Sequence, residues 1–284
     1  MKISVVIIVK NESKYIKNCL EALLEQSYQD FEIIVIDNGS SDGTGEIISN
    51  LSKDKKIKYF YELSECGIAE LRNSGIKKAV GEYIFFTDGD CMPCKYWLEE
   101  GLKVLETEKC IGVEGKTYYE SQQKVSISDY NTHNFIAEGY MTCNIAYARN
   151  ILERVNYFDP AFKYGHEDRD LAFCVKKYGN ICFSRHMLVS HQKKKLSVKG
   201  LFSRAKRAEN MVYFIKKHGK YTDVYKNILY PKTLLFILCP PLLILTDSYI
   251  TLSDLNFGFF KYISFVYERI FIWKAAIKNR IFII

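Results

Sequence analysis

Gly81-Glu-Tyr-Ile-Phe-Phe-Thr-Asp-Gly-Asp90 is the stretch on which the fold turns. Tyr83 to Phe86 are aromatic or aliphatic without interruption, which suits a strand buried on both faces. That strand runs straight into two carboxylates separated by one glycine. An apolar strand ending in acids is where an open α/β sheet places ligand chemistry. Gly89 is expected to let Asp88 and Asp90 face one point by adopting backbone angles that other residues resist. Two oxygen donors there suit a hard divalent cation, Mg2+ or Mn2+, usually shared with substrate phosphates. A polar turn after a strand has the same composition, so these ten residues alone leave both readings open.

Working outward, the first third alternates strand and helix. The strands are Ile3–Val9, Phe31–Ile36 and a short Ile57–Phe60, then the opening stretch. Between them come helices over Ser13–Gln26, with Ser13 as N-cap, then about Gly45–Leu51 and Ala69–Val80. Continuous apolar strands separated by amphipathic helices predict a mainly parallel, Rossmann-like α/β sheet flanked by helices. No GxGxxG follows the first strand and no GxxxxGK[ST] occurs anywhere, so a nucleotide would be held by acids at strand ends. Asp37, Asp88 and Asp90 lie at the ends of the second and fourth strands and are expected to border one crevice.

The totals are compatible with that architecture. The chain has 284 residues, 48% hydrophobic and 26% charged, room for one large α/β domain and an appendage. Met1 to Val9 is apolar too briefly for a signal peptide and reads as the first strand. Nine cysteines are scattered, with Cys91 and Cys94 the one close pair and no second pair for zinc; they read as reduced cytosolic thiols. The net charge of +7 is uneven, because His191 to Lys232 alone carries +10 and the remainder is slightly acidic. Such a block favours an anionic membrane surface or a phosphate-bearing substrate. It matches no nucleic-acid module, so no nucleic-acid partner is expected.

Four motifs appear in order: Ile3–Glu12 (ISVVIIVKNE), Val35–Thr44 (VIDNGSSDGT), Gly67–Ile76 (GIAELRNSGI) and Gly81–Leu98 (GEYIFFTDGDCMPCKYWL). Each alone is weak, but together they resemble the nucleotide-binding half of the family 2 GT-A glycosyltransferases. The resemblance implies that Asp37 bonds the donor's base and that Arg72 lies near the base or diphosphate. It places Asp88, with Gly89, at the ribose and metal region, and makes Asp90 a ligand of Mn2+ or Mg2+. Ile8-Val9 replaces the family's usual Pro-Thr, so donor contacts at Val9 and Asn11 would come from the backbone.

Downstream, after a helix over Lys95–Thr107 and a strand over Cys110–Tyr118, Gly139–Asn150 resembles the family's segment beneath the acceptor. There Asn144 either touches the acceptor or pins a turn. Phe158–Gly179 carries Glu167, Asp168 and Asp170 at a helix start, where acids also suit the helix dipole. The resemblance makes Asp168 the catalytic base and Glu167 an acceptor-orienting neighbour, with His166 where glycine is usual. His191, after a strand at Met187–Ser190, would complete the metal site. Val198–Lys217 reads as one basic amphipathic helix. It lacks the Gln-x-x-Arg-Trp of processive synthases, so a single sugar is expected to move, with Arg204 or Arg207 helping the leaving diphosphate.

Residues 1–222 are therefore expected to form the GT-A domain, with a nucleotide-sugar half at 1–98 and an acceptor half at 99–222. Residues 223–284 would form an apolar, basic helical tail. Thr233–Thr246 is uncharged but short for a span and broken by Pro240-Pro241. With the later aromatic and basic residues it predicts peripheral or monotopic attachment at the cytoplasmic face of the membrane. The expected partners are a nucleoside-diphosphate sugar, UDP favoured, and a glycan or lipid-linked acceptor. A sugar nucleotidyltransferase and a non-catalytic membrane scaffold are the rivals. The first lacks its glycine-rich loop after strand one, and the second leaves the rim acids idle.

Overall fold

Alternate residues along a strand face opposite ways, and here both sets are apolar. In strand β1 (Ile3–Val9), Val5, Ile7 and Val9 join one buried cluster, while Val6 joins a second on the other face. Strands β2 (Phe31–Asp37) and β4 (Tyr83–Asp88) divide the same way, with Ile33, Val35 and Phe85 on the first face and Ile34, Ile36, Ile84 and Phe86 on the second. A strand apolar on both faces needs helices on both, and the sequence supplies them. Helices α1 (Ile16–Leu24), α2 (Thr44–Leu51) and α4 (Trp97–Thr107) bury their apolar residues in the first cluster. Helices α3 (Ile68–Lys78), α5 (Arg149–Arg154) and α6 (Glu167–Val175) bury theirs in the second.

The computed structural model describes residues 1–63, 67–119, 129–130, 133–163, 165–192, 194–195, 197–219, 224–225, 228–229, 238 and 252–281. The remaining strands of its main sheet are β3 (Ile57–Tyr61), β5 (Cys91–Pro93), β6 (Gly112–Tyr118), β8 (Ile145–Ala148) and β9 (Ile181–His191). The eight run in the order β3-β2-β1-β4-β8-β6-β9-β5. The β3-β2-β1-β4 half is parallel throughout, as expected. Beyond it β8 runs antiparallel to both β4 and β6, while β6 and β9 are parallel. The strand order reverses between β1 and β4, the place where such sheets open a ligand crevice at their carboxyl ends.

Gly81 begins β4 for a steric reason, since a Cβ there would lie 2.5 Å from the Ser4 backbone nitrogen. Its own N–H donates to Ser4 Oγ at 2.8 Å, and Ser4 Oγ donates to the buried Glu32 carboxylate at 2.6 Å. Two expectations at helix ends are corrected. Helix α1 starts at Ile16 with Tyr15 before it, and Ser13 instead gives its backbone N–H to Asp42 Oδ2 at 3.0 Å. The basic helix is two helices, α7 (Val198–Lys206) and α8 (Ala208–His218), separated at Arg207. The expectation of reduced thiols also needs correction, because Cys110 and Cys182 form a disulfide beside the starts of β6 and β9. Cys19, Cys91, Cys94 and Cys143 are free thiols.

The chain divides into two compact units. The first, Met1–Glu120 with Asn131–Lys163 and Glu167–Gln192, holds the sheet. The second comprises Ser121–Tyr130, Tyr164–His166 and Lys193–Ile284, so the basic helices group with the tail. It contains two short ladders, β7 (Asp129–Tyr130) with β10 (Lys194–Lys195) and β11 (Val224–Tyr225) with β12 (Ile228–Leu229). Its long helix α9 (Leu252–Asn279) packs on α7 and α8. The packed face of α9 is lined by Ser264, Ile272, Ala275 and Ala276, whereas Phe259, Ile270, Trp273 and Ile277 are exposed. The packed face also buries Arg269, and four large apolar side chains on the other side are unusual for a helix on a water-soluble surface. Among the described residues no helix is long and apolar enough to cross a membrane. Thr233–Thr246, with Pro240-Pro241, lies outside the described residues apart from position 238.

Candidate functional site

Three rim residues form one floor at the β1 and β2 ends. Asp37, fully buried, accepts the Ser40 N–H on Oδ1 at 2.9 Å and the Tyr59 hydroxyl on Oδ2 at 2.8 Å. Asn11 adopts a positive φ of 56°, a region asparagine tolerates better than most residues. Its N–H donates to Ser40 Oγ, and its Oδ1 accepts the Ser41 N–H, both at 2.9 Å. The Val9 carbonyl accepts the Asn38 N–H at 2.9 Å. The loop after β2 is thereby tied to the loop after β1, and the backbone atoms expected to meet a donor already brace each other.

At the β4 end, Asp88, Asp90, Cys91 and His191 place their side-chain donor atoms within 4.8 Å of one another. Pairing of β5 with β9 sets this up, because Cys91 lies opposite His191 in the ladder. Asp88 keeps 35% side-chain exposure while Asp90 and His191 are buried. Gly89 is required here for a different reason from the one expected. Its φ is not positive, but a Cβ would sit 2.8 Å from Val9 Cγ1. The constraint is space against β1 rather than backbone freedom.

The donor set fits a hard cation. His191 Nδ1 lies 3.0 Å from the Gln192 carbonyl oxygen. A carbonyl only accepts, so Nδ1 carries a proton, and Nε2 is the ring atom that faces Asp90 Oδ1, 3.7 Å away. A cation between them would take Nε2 and Oδ1 as ligands, with the second nitrogen fixed by an outer hydrogen bond. Cys91, which sequence reasoning passed over at this position, is held protonated: burial and then the Cys143 thiol push its pKa well up. That leaves two carboxylates and one imidazole, suited to Mn2+ or Mg2+.

Arg72 is buried and links the two halves of the crevice. One terminal nitrogen pairs with Glu167 Oε1, and the other lies 3.9 Å from Asp88 Oδ1. Its guanidinium also stands over the Phe158 ring at 5.6 Å. Burial alone would lower its pKa, but Glu167, Asp88 and Asp168 outweigh that and raise it. Glu167 is buried as well, and its Oε2 has no hydrogen-bond partner among the described residues. Beside it Asp168 keeps partial exposure and accepts the Arg169 N–H at 2.7 Å. Desolvation by the surrounding protein, then the Glu167 charge, raise the Asp168 pKa to about 7.

Asn144 is elsewhere occupied. It accepts the Trp97 indole N–H at 2.8 Å and donates both amide hydrogens, to the Lys116 and Met187 carbonyls at 3.0 Å each. Buried and satisfied, it pins strands rather than meeting an acceptor, which corrects the expectation of a substrate contact. Sequence reasoning also missed Glu114. This buried carboxylate gathers the Asn134 amide and the Tyr140 and Glu138 N–H groups, folding the 134–140 loop against β6. An acid alone in an apolar strand was the available signal.

The sequence profile described as Glycosyl transferase family 2 matches residues 4–170, more than half of the chain. The chain belongs to glycosyl transferase family 2. Glycosyltransferase AglE of Haloferax volcanii is 39% identical over 106 residues, 36% of this chain and 35% of that one. Glycosyltransferase GlyG of Streptococcus pneumoniae serotype 4 is 40% identical over 89 residues, 31% of this chain and 30% of its own. The chain thus spans well under half the length of these curated relatives, and 18% of an uncharacterized Rickettsia felis glycosyltransferase. Among solved structures, S. aureus TarS 1-349 in complex with UDP-GlcNAc superposes with TM-score 0.61 at 16% identity, covering 99% of this chain and 93% of that one. The Pyrobaculum calidifontis mannosyltransferase PcManGT, in complex with GDP-Man and Mn2+, gives 0.59 at 18% identity, covering 98% and 87%. These likenesses show a shared GT-A fold. Within family 2 the matched region includes Asp37, Arg72, Asp88, Asp90, Glu167 and Asp168, whereas His191 lies beyond it and joins them through β9.

Proposed function

We propose that this family 2 chain is an inverting, metal-dependent glycosyltransferase. It moves one sugar from a nucleoside-diphosphate sugar to a hydroxyl of a glycan or lipid-linked acceptor. The observation that carries the reading is the buried Arg72, which joins a cation-suited cluster to Glu167, the neighbour of Asp168, whose carboxyl pKa is raised to about 7. The TarS complex with UDP-GlcNAc favours a UDP-sugar, and the PcManGT complex with GDP-Man and Mn2+ supports the metal.

Asp37, with the loop braced by Asn11 and Val9, receives the nucleoside, and Asp88 and Gly89 border the ribose and diphosphate. Asp90 and His191, with Asp88, hold Mn2+ or Mg2+, which when bound stabilises the negative charge on the departing diphosphate. Arg72 adds a fixed positive charge near the same group. Asp168 takes the proton of the acceptor hydroxyl as its oxygen bonds to the anomeric carbon. The bond from that carbon to the diphosphate oxygen breaks on the opposite face, inverting the configuration. General-base help of this kind is worth about 10²–10⁴-fold. Glu167 Oε2, lacking a partner, accepts a second acceptor hydroxyl and orients it.

The exposed apolar face of α9, flanked by Lys274, Lys278 and Arg280, supports attachment to an anionic membrane at its cytoplasmic face. The test titrates UDP- and GDP-sugars with and without Mn2+, then follows radiolabelled sugar in a membrane extract. Metal-dependent donor binding and label in glycan or lipid are expected. Label recovered only in a new nucleotide sugar, or binding indifferent to metal, refutes the reading.

A further inference from the structure

Beyond the end of β6 lies a group of side chains that the mechanism above does not use. The rings of His133 and Phe135 stack with centroids 5.3 Å apart and 29° between planes, and Tyr119 lies against His133 at 6.2 Å. Lys116 Nζ stands over the Phe135 ring at 5.6 Å. Phe135 is nevertheless 51% exposed and its neighbour Ile136 is 76% exposed. These are not the ends of a slack loop. Asn134, between the two rings, is buried and exchanges two backbone hydrogen bonds of 2.9 Å with Thr117, while its amide is held by Glu114. A pair of stacked aromatic rings is thus fixed by buried polar bonds while half of Phe135 stays in water, an uncommon use of apolar area.

Its place follows from sheet register. In the parallel β6–β9 pair Tyr118 lies opposite Ser190, the residue before His191. Neighbouring strands are about 4.8 Å apart. The chain therefore leaves β6 toward Tyr119 at the level of the cation cluster, one strand away from His191. Farther along, Glu138 and Tyr140 are held just past the C-terminal end of α6, where Lys176 donates to Glu138 Oε1 and to the Tyr140 hydroxyl, both at 3.0 Å. The aromatic side chains are carried on a segment braced on one side by Thr117 and Glu114 of β6, the strand beside β9, and on the other by Lys176 just past α6.

We propose that His133 and Phe135, with Lys116 over the Phe135 ring, form a sugar-stacking subsite for a hexopyranose ring of the acceptor. The C–H face of a pyranose carries slightly positive hydrogens, and an aromatic face is electron-rich, so the two stack without any hydrogen-bond pattern being demanded. Lys116 supplies a donor to the ring's hydroxyls or to an acidic substituent. The subsite deepens the transferase reading by giving the acceptor a carbohydrate at the transfer end.

The test uses the full chain and a panel of methyl hexopyranosides, observed by saturation-transfer difference NMR, with UDP-sugar hydrolysis as a separate readout. Wild-type protein is expected to saturate the ring protons of one pyranose face. Phe135→Ala and Phe135→Leu are expected to weaken that binding about two- to tenfold, the range aromatic stacking supplies, while Phe135→Tyr retains it. Because Phe135 is exposed, thermal unfolding should be unchanged in all three. Hydrolysis of the donor is expected to be unaffected. Equal sugar binding by Phe135→Leu and wild type, or no binding by wild type, overturns the subsite. A failure of donor turnover with sugar binding intact counts against the transferase reading alone.

Discussion

The base assignment predicts a pH dependence that an ordinary aspartate would not give. Asp168 is held at a pKa of about 7 by desolvation and by Glu167. Only its ionised form can accept a proton, so roughly 10% is active at pH 6 and roughly 90% at pH 8. Release of nucleoside diphosphate from a UDP-sugar, with glycan and lipid extract as acceptor, should rise about tenfold over that interval. Glu167→Gln removes the second cause of the shift and leaves the Arg72 charge less compensated. Both changes favour the carboxylate, so the midpoint should move down by about one unit. Asp168→Asn should lose about 10²–10⁴-fold and the pH rise with it. The same shift has a stability signature. A carboxyl whose folded pKa is raised stabilises the fold fully below its unfolded pKa of about 3.9, and that contribution is lost as pH rises through about 7. Asp168→Asn should therefore melt above wild type at pH 8 and with it at pH 4. A rate profile flat from pH 5.5 to 8, or a midpoint near 4 in wild type, would falsify the role given to burial and to Glu167.

Other outcomes follow from single contacts. Arg72→Met strands the buried Glu167 charge and should cost about 3–5 kcal/mol in urea unfolding, with Glu167→Leu added to it restoring much of the loss; additive single effects would show that the two do not interact. His191→Ala and Asp90→Asn should each weaken Mn2+ binding in the presence of UDP by at least about tenfold, as read by calorimetry, and unchanged affinity would remove them as ligands. Trp273→Ser with Ile277→Ser should abolish cosedimentation with vesicles containing phosphatidylglycerol. Retained binding would locate any membrane contact away from α9.

The parallel half of the sheet was legible because its strands are mostly apolar, broken by single residues such as Ser4, Glu32 and Lys58, and each ends in a glycine-bearing or acidic loop. The split of the basic helix was not, since the apolar spacing runs on through Arg207 and one turn residue leaves no mark on it. Asp88, Asp90 and Asp168 were found as residue types at strand and helix ends. What joins them is a contact between Arg72 and Glu167, 95 positions apart, and no local pattern encodes that. Asn144 shows the opposite case. An asparagine near a site invites a substrate role, but its amide is used up by Trp97, Lys116 and Met187, partners that only the folded sheet brings within reach. The Gly89 turn was anticipated for the wrong reason, because crowding by a side chain 80 residues earlier cannot be seen in a tripeptide.

The pairing of β5 with β9 also sets an order of events during synthesis. The β3-β2-β1-β4 half can close once the ribosome has released Asp88. Among the described residues the short strand after Asp90 pairs with β9, about a hundred residues later. At ordinary elongation rates of about 5–20 residues per second that is an interval of roughly 5–20 s. During it the nucleotide floor can exist without the cation site. On the proposed site roles, a nascent chain would pass through a stage with the Asp37 side of the crevice formed but without the Asp90–His191 cluster, so donor turnover would await β9.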